Sequence, residues 1–293
     1  MASSINSTPP SNENQRKSFS LLFYKAVRDL KPVWMLEDMR TMETFYPEED
    51  AGQRTYTPSE ALLYAIVHDH QAYAQYLLSR YADEALAKPG ERFCCCPSSA
   101  PHLAMAVRYD RRYILGLILQ EAHRMHAFLH EQRSRGGCFH MEDGKTPLHL
   151  ACELLRPEAV IMLLGNGASP HAEDHNGSTP LDVILEKLRD SKVNGGEKRQ
   201  CLDNLLMFMP EVNFKLKGAM DREPECWSKV LGEETFQYLV GKSPAPLVLT
   251  SMQTILKQLS PATFPDSLHE LPIPSSLKPL SLNYSQRDKL RVV

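Results

Sequence analysis

Seven cysteines and eleven histidines are the side chains of this 293-residue chain best suited to hold a metal ion or to act as nucleophiles. Cys94, Cys95 and Cys96 are consecutive with His102 downstream, Cys138 lies near His140, and His149 stands just before Cys152. A structural zinc site draws on paired ligand units such as CxxC, because two ligands from one short turn reach two corners of a tetrahedron. These cysteines are not paired in that way, so the expectation is loop or partly buried thiols and no metal. His123, His126 and His130 recur at helical spacing. That pattern suits a metal or a pH response, but more often it marks a solvated helix face. No nucleophile with a neighbouring base, no glycine-rich phosphate loop and no carboxylate pair with a reason to be buried stands out. The chain therefore reads as a non-enzyme with no catalytic residues and no cofactor. An odd cysteine count that includes a triplet does not fit a regular disulfide framework, and reduced thiols are expected.

The elements that carry these residues belong to a globular protein. Apolar residues make up 42% and charged residues 24%, with a formal charge of −3. Bulk charge of that size points to neither nucleic acid nor a membrane surface as partner. No run approaches the roughly 18 apolar residues of a membrane span, and residues 1–17 lack the apolar core of a signal peptide. The expected location is the cytosol. Proline outnumbers glycine, 21 to 14, the reverse of average usage.

Self-similarity explains part of that excess. Thr146, Pro147, Leu148 and His149 are followed 33 residues later by Thr179, Pro180, Leu181 and Asp182. Thr146 suits an N-cap and Pro147 the first helical turn, where its missing N–H is not needed. Leu148, Ala151 and Cys152 share one face of a first helix, and Val160, Leu163 and Leu164 share one face of a second. Gly165 and Gly167 then supply positive φ to end the pair. Weaker copies start at Pro101 and Pro58, each keeping 12 residues between an alanine and an aliphatic: Ala151 to Leu163, Ala106 to Ile118, Ala65 to Leu77. The copies step by 41 and 45 residues, so insertions separate them. Motif and period resemble the ankyrin repeat. The resemblance implies a finger tip at Asp174, His175, Asn176 and Gly177, a structural role for His149, and client contacts from finger residues Asp174, His175 and Asn176 and from inner-helix positions Tyr109 and Glu153.

The last 50 residues change character. Pro244, Pro246, Pro261, Pro265, Pro272, Pro274 and Pro279 crowd there, around a helical stretch in which Leu247, Ser251, Ile255 and Leu259 fall four apart. Leu271, Pro272, Ile273 and Pro274 follow. The pairing resembles the SOCS box, the module by which adaptors recruit elongin B, elongin C and a cullin. In that family a helix opens with Pro or a small residue, then Leu, then Cys or a small residue, then an aliphatic. Pro246, Leu247, Ser251 and Ile255 fill those places, with Leu259 continuing the stripe and Ser251 standing where Cys is commonest. Leu271 to Pro274 match the family's Leu-Pro-hydrophobic-Pro element, of cullin-5 type. The resemblance implies that Pro246, Leu247, Ser251, Ile255 and Leu259 meet elongin and Leu271, Pro272, Ile273 and Pro274 meet cullin-5, with a RING protein recruited through the cullin. Buried in a partner pocket, Leu247 would contribute on the order of 1.5–3 kcal/mol. The prolines hold the second element near polyproline II, so little entropy is lost on binding.

The expected architecture is all-α: an ankyrin-repeat solenoid of about four repeat-like units with insertions, followed by a helical SOCS-box-like module. Its expected boundaries are a disordered 1–17, repeats over 18–188 (20–40, 57–86, 100–122 and 143–188), a linker and closing helices over 189–243, the docking module over 244–284 and a tail over 285–293. The expected function is that of a substrate adaptor, its repeats holding a folded cytosolic client for ubiquitination and proteasomal degradation. The alternative is an ankyrin scaffold with no ubiquitin role, its tail acting as a cap. No nucleic-acid partner and no membrane insertion are expected.

Overall fold

The computed structural model describes residues 21–41, 56–90, 101–125, 144–189, 195–274 and 278. The cysteine triplet, Cys138, His126, His130, His140 and the segments 1–17 and 285–293 lie outside these residues. Among the described residues the only regular elements are helices. The chain divides into two compact units, Met1–Gly90 and Glu91–Val293.

One turn recurs through the fold. Leu30, Asp69, Asp110 and Leu155 all lie in the left-handed region, with φ of 51°, 56°, 54° and 56°. The residue after each donates its N–H to the carbonyl of an alanine five positions back. The four bonds are Lys31 to Ala26 at 3.1 Å, His70 to Ala65 at 2.9 Å, Arg111 to Ala106 at 2.8 Å and Arg156 to Ala151 at 2.9 Å. The left-handed residue itself bonds back to Val27, Ile66, Val107 or Cys152. This pair of bonds is the Schellman motif, which satisfies carbonyls that a helix end leaves over. All four alanines are buried. The turns step by 39, 41 and 45 residues, so the divergent N-terminal pair is built on the same device as the clear repeats.

The first unit holds α1 (21–28), α2 (Val33–Thr41), α3 (Pro58–His68) and α4 (Gln71–Leu86). Thr57 and Glu60 form a capping box at α3, with Pro58 in the first turn. α3 and α4 pack as a hairpin, and α2 lies on α4. A polar network fastens α2 there: the Glu37 carboxylate accepts from Arg40 Nε at 2.8 Å, Arg40 Nη2 at 2.9 Å, Tyr73 Oη at 2.8 Å and Tyr81 Oη at 3.0 Å. Arg40 also donates to the Tyr56 carbonyl and sits over the Tyr81 ring. Although burial opposes the charge, the Arg40 bonds and the two phenols hold the Glu37 carboxyl below its usual range.

The second unit stacks three helix pairs: α5 (Pro101–Arg108) with α6 (Arg112–Arg124), α7 (Pro147–Glu153) with α8 (Pro157–Gly165), and α9 (Pro180–Arg189) with α10 (Gly195–Leu206). First helices meet first helices and second meet second, since α7 packs on α5 and α9 while α8 packs on α6 and α10. The segment over 189–243, expected as linker and closing helices, therefore begins with the second helix of a repeat. The pair that opens at Pro180 takes its second helix from 195–206, which lies beyond the point where the motif periodicity ends. α11 (Lys217–Arg222), α12 (Pro224–Leu231) and α13 (Glu233–Leu239) follow, with α12 against α9 and Trp227, Leu231, Phe236 and Leu239 buried.

His149 ties one repeat to the next. The Thr146 N–H donates to its Nδ1 at 3.1 Å, which leaves the proton on Nε2 to donate to the Ser178 carbonyl at 3.0 Å. Asp182 takes the same place one repeat later but can only accept. It caps Thr179 and receives the N–H groups of Lys215 at 3.2 Å and Leu216 at 2.8 Å, so the following segment presents donors where the earlier one presents a carbonyl.

Burial holds the His149 pKa below its ordinary value of 6.5, because the neutral ring is the one that fits. A depressed folded-state pKa means the contribution is complete above the unfolded value and is lost as pH falls through the folded one. Stability of the wild type should therefore decline below about pH 6.5, and a His149→Gln variant should show a flatter profile. Chemical denaturation at a series of pH values measures the difference between them. His149→Ala should cost on the order of 2 kcal/mol at pH 7, through the lost cap and the orphaned Ser178 carbonyl.

Candidate functional site

The C-terminal segment is built onto the repeats. α14 (Leu247–Gln258) turns Met252 and Leu256 inward, where they join Ile161 of α8 and, further along the chain, Phe264 and Leu268 in one apolar cluster. Met207, Phe208, Ile255, Leu259, Leu271 and Ile273 pack around its edge. Two backbone carbonyls, one at the end of α10 and one just past it, are claimed by one side chain: Gln253 Nε2 donates to Leu206 O at 2.9 Å and to Met209 O at 3.1 Å. The short turn Pro261–Thr263 lies against α6.

Gly165 makes that contact possible. It is the last residue of α8 and, contrary to the sequence expectation, does not supply a positive φ; Gly167, at 93°, does. A Cβ at Gly165 would lie 2.3 Å from the Phe264 ring, so the glycine is needed for close approach.

The expected elongin-facing stripe is divided. Leu247 is 82% exposed, Val248 beside it is 64% exposed, and Ser251 is exposed. Pro246 is the N-cap residue, and its carbonyl accepts from Thr250 N–H at 3.0 Å. Ile255 and Leu259 are half-buried at the rim of the Ile161 cluster. A spacing of four places these residues in one row, but the helix buries the neighbouring row, Met252 and Leu256, because that is where α8 and α10 lie. In the second element Leu271 and Ile273 are half-buried against the same cluster while Pro272 and Pro274 face outward. Val248 was missed by family spacing, although it is an aliphatic residue next to the anchor position.

The expected client contacts separate in the same way. His175 and Asn176 are exposed at a finger tip, and the His175 ring closes over Gly144. Asp174 is not a free contact: it is 8% exposed, and its Oδ1 accepts from Asn176 N–H at 2.8 Å and Ser178 N–H at 2.9 Å. It builds the finger whose tip the other two present. Glu153 is half-exposed but paired with Lys145 at 2.9 Å. Tyr109, at 40% exposure, follows α5 directly, with the Arg111 guanidinium 6.0 Å from its ring centroid.

Cys226 is exposed, whereas the two buried cysteines are poor reagents. Burial pushes the Cys201 thiol up to about 12 and the Cys152 thiol well above its usual value, which removes the thiolate that nucleophilic chemistry needs. His149, three residues before Cys152, has both ring nitrogens engaged. Among the described residues no group of three or more His, Cys, Asp or Glu is placed to hold a metal ion, and no helix is long and apolar enough to cross a membrane. The arrangement can present surfaces to partners.

Comparison with known proteins agrees on the repeat. The ankyrin repeat family matches residues 143–175. Ankyrin repeat domain-containing protein 9 of Mus musculus is 40% identical over 304 aligned residues, covering 92% of this chain and 91% of that protein. Plant proteins match a shorter stretch. BTB/POZ domain and ankyrin repeat-containing protein NOOT1 of Medicago truncatula and Regulatory protein NPR5 of Arabidopsis thaliana are each 46% identical over 52 residues, 18% of this chain and 11% of theirs.

Gly165→Ala should loosen the C-terminal segment at a cost of about 1–3 kcal/mol, the range for forcing a methyl into a packed site. Phe264→Ala removes the ring that the new methyl would meet, so the two changes should be markedly non-additive in a double-mutant cycle. Amide exchange over 247–268 should accelerate in Gly165→Ala while that of α9 stays slow.

Proposed function

The chain belongs to the family of ankyrin repeat domain-containing protein 9, and on that premise we propose that it is a cytosolic, non-catalytic substrate receptor of a cullin-5 RING ubiquitin ligase. Its repeats hold a folded client. Its C-terminal segment docks elongin B and elongin C through Pro246, Leu247, Ser251, Ile255 and Leu259, and cullin-5 through Leu271, Pro272, Ile273 and Pro274. The receptor contributes proximity: it raises the effective concentration of client lysines at a ubiquitin-charged enzyme carried by the RING protein, which leads to proteasomal degradation.

The observation that carries this reading is the exposure of Leu247. A helix whose inner face is packed on α8 and α10 leaves a leucine 82% exposed and a valine 64% exposed on its first turn. A helix that served only as a cap would place its apolar residues on the core and polar ones outside. The cap itself is real, since Met252, Leu256, Phe264 and Leu268 are buried, and it supports the reading of the protein as an ankyrin scaffold with no ubiquitin role. Leu247 and Val248 are what that second reading leaves unexplained.

Leu247→Asp should abolish co-purification of elongins B and C without unfolding the protein, because the side chain already lies in water. Equal recovery with wild type and variant would remove the docking assignment. Alanines at Leu271, Pro272 and Pro274 should lower cullin-5 recovery while elongins are retained. A client whose abundance ignores both this protein and proteasome inhibition would favour the scaffold.

A further inference from the structure

We infer that the outward face of α1 and α2, formed by Leu21, Leu22, Leu30 and Trp34, is a docking surface for an acidic amphipathic helix of a partner protein. The inward sides of these helices are fully used. Phe23, Ala26, Val27, Leu36 and Arg40 are buried, and Phe23 and Tyr24 meet the Tyr64 ring. On the other side Leu21 is 48% exposed, Leu22 47%, Leu30 59% and Trp34 68%. These are four of the seven exposed large apolar residues among the described part of the chain, and they fall within 14 residues of one another. A helix pair with an uncovered face in a soluble repeat array ordinarily keeps that face polar. This pair does not.

Leu30 strengthens the case. The equivalent left-handed turn positions hold Asp69 and Asp110, a residue type that tolerates positive φ, and Leu155, which is half-buried. Leu30 accepts the same strained conformation, at φ 51°, while its side chain gains little packing in return. The charge on this face selects the partner. Among the described residues Lys25, Arg28 and Lys31 are exposed here against one exposed carboxylate, Asp29, which Arg28 already holds at 2.8 Å, and the half-buried Asp38 of α2. A second copy of this chain would meet that face with like charge, whereas a carboxylate-bearing partner is attracted.

The order of these groups favours a helix. Leu21 and Leu22 lie at one end of α1 and Leu30 at the other, about 12 Å apart at 1.5 Å per residue, with Lys25 and Arg28 between them. A helix with apolar residues seven or eight apart and carboxylates between them repeats that pattern with opposite charge.

Trp34 reports on its own surface, because Trp227, the other tryptophan, is 1% exposed and provides a constant background. The probe is a synthetic 18-residue peptide with Leu at helical a/d spacing and Glu elsewhere, titrated into the full chain; its control carries Lys in place of Glu. The expected result is a saturable blue shift with the Glu peptide only, weakened at least tenfold by Leu30→Asn and by Lys25→Glu with Lys31→Glu. Asparagine accepts the left-handed turn, so its effect cannot come from unfolding, and unchanged far-UV circular dichroism checks this. Equal binding of the Lys peptide, indifference to Leu30→Asn, or a blue shift with phosphatidylserine vesicles in place of the peptide would each overturn the proposal. So would a concentration-dependent dimer in sedimentation that Leu30→Asn dissolves.

Discussion

Every helix pair in this protein ends with backbone groups that its own ladder cannot satisfy, and the fold depends on where those groups find partners. A short helix leaves four N–H groups and four carbonyls over, a large share of its total, so repeats of this size stand or fall on their ends. Four Schellman turns close first helices by returning an N–H to Ala26, Ala65, Ala106 or Ala151. Capping boxes at Thr57 and Thr146 open two of the same helices. The accepting residue is an alanine in all four turns. Its side chain is buried while its carbonyl is in use.

The same accounting joins one repeat to the next. His149 is a cap and a tether at once, accepting from its own repeat and donating to Ser178 in the following one. Asp182 keeps the cap and reverses the tether, and the chain answers by offering the N–H groups of Lys215 and Leu216. A change of one residue type thus marks where regular repeats give way to the closing helices. Beyond that point the stack is covered by α14 and the turns after it, whose approach depends on the missing side chain at Gly165.

How much of this was legible in the sequence follows from the range of each interaction. The helix pairs at 58–86, 101–124 and 147–165 were readable because Pro at a helix start, an alanine near its end and aliphatics 12 residues on are local signals. The helix over 195–206 was not seen as part of a repeat, because it carries no motif and is defined by packing on α8 and α9. In the C-terminal segment the helix and its spacing were legible, but not its rotation. Periodicity marks Leu247, Ser251, Ile255 and Leu259 as one row, and only the position of Ile161 decides that the row beside it is buried. Asp174 looked like a finger contact because the motif places it at the tip, yet its carboxylate is spent on Asn176 and Ser178.

The sequence by itself determined that the chain is helical, that it repeats in the ankyrin manner, and that its last part carries a short helix followed by a proline-rich element. Those properties are encoded within about 35 residues, by caps, turn residues and helical spacing, and need no distant partner. Tertiary structure decided which faces remain free. It put Leu247 and Val248 in water while Met252 and Leu256 face Ile161, drew Leu271 and Ile273 halfway into the same cluster, and left Leu30 and Trp34 uncovered. The reason is that exposure belongs to a surface and to what lies against it. An aliphatic row on a helix has the same sequence pattern whether a neighbouring repeat covers it or a partner does.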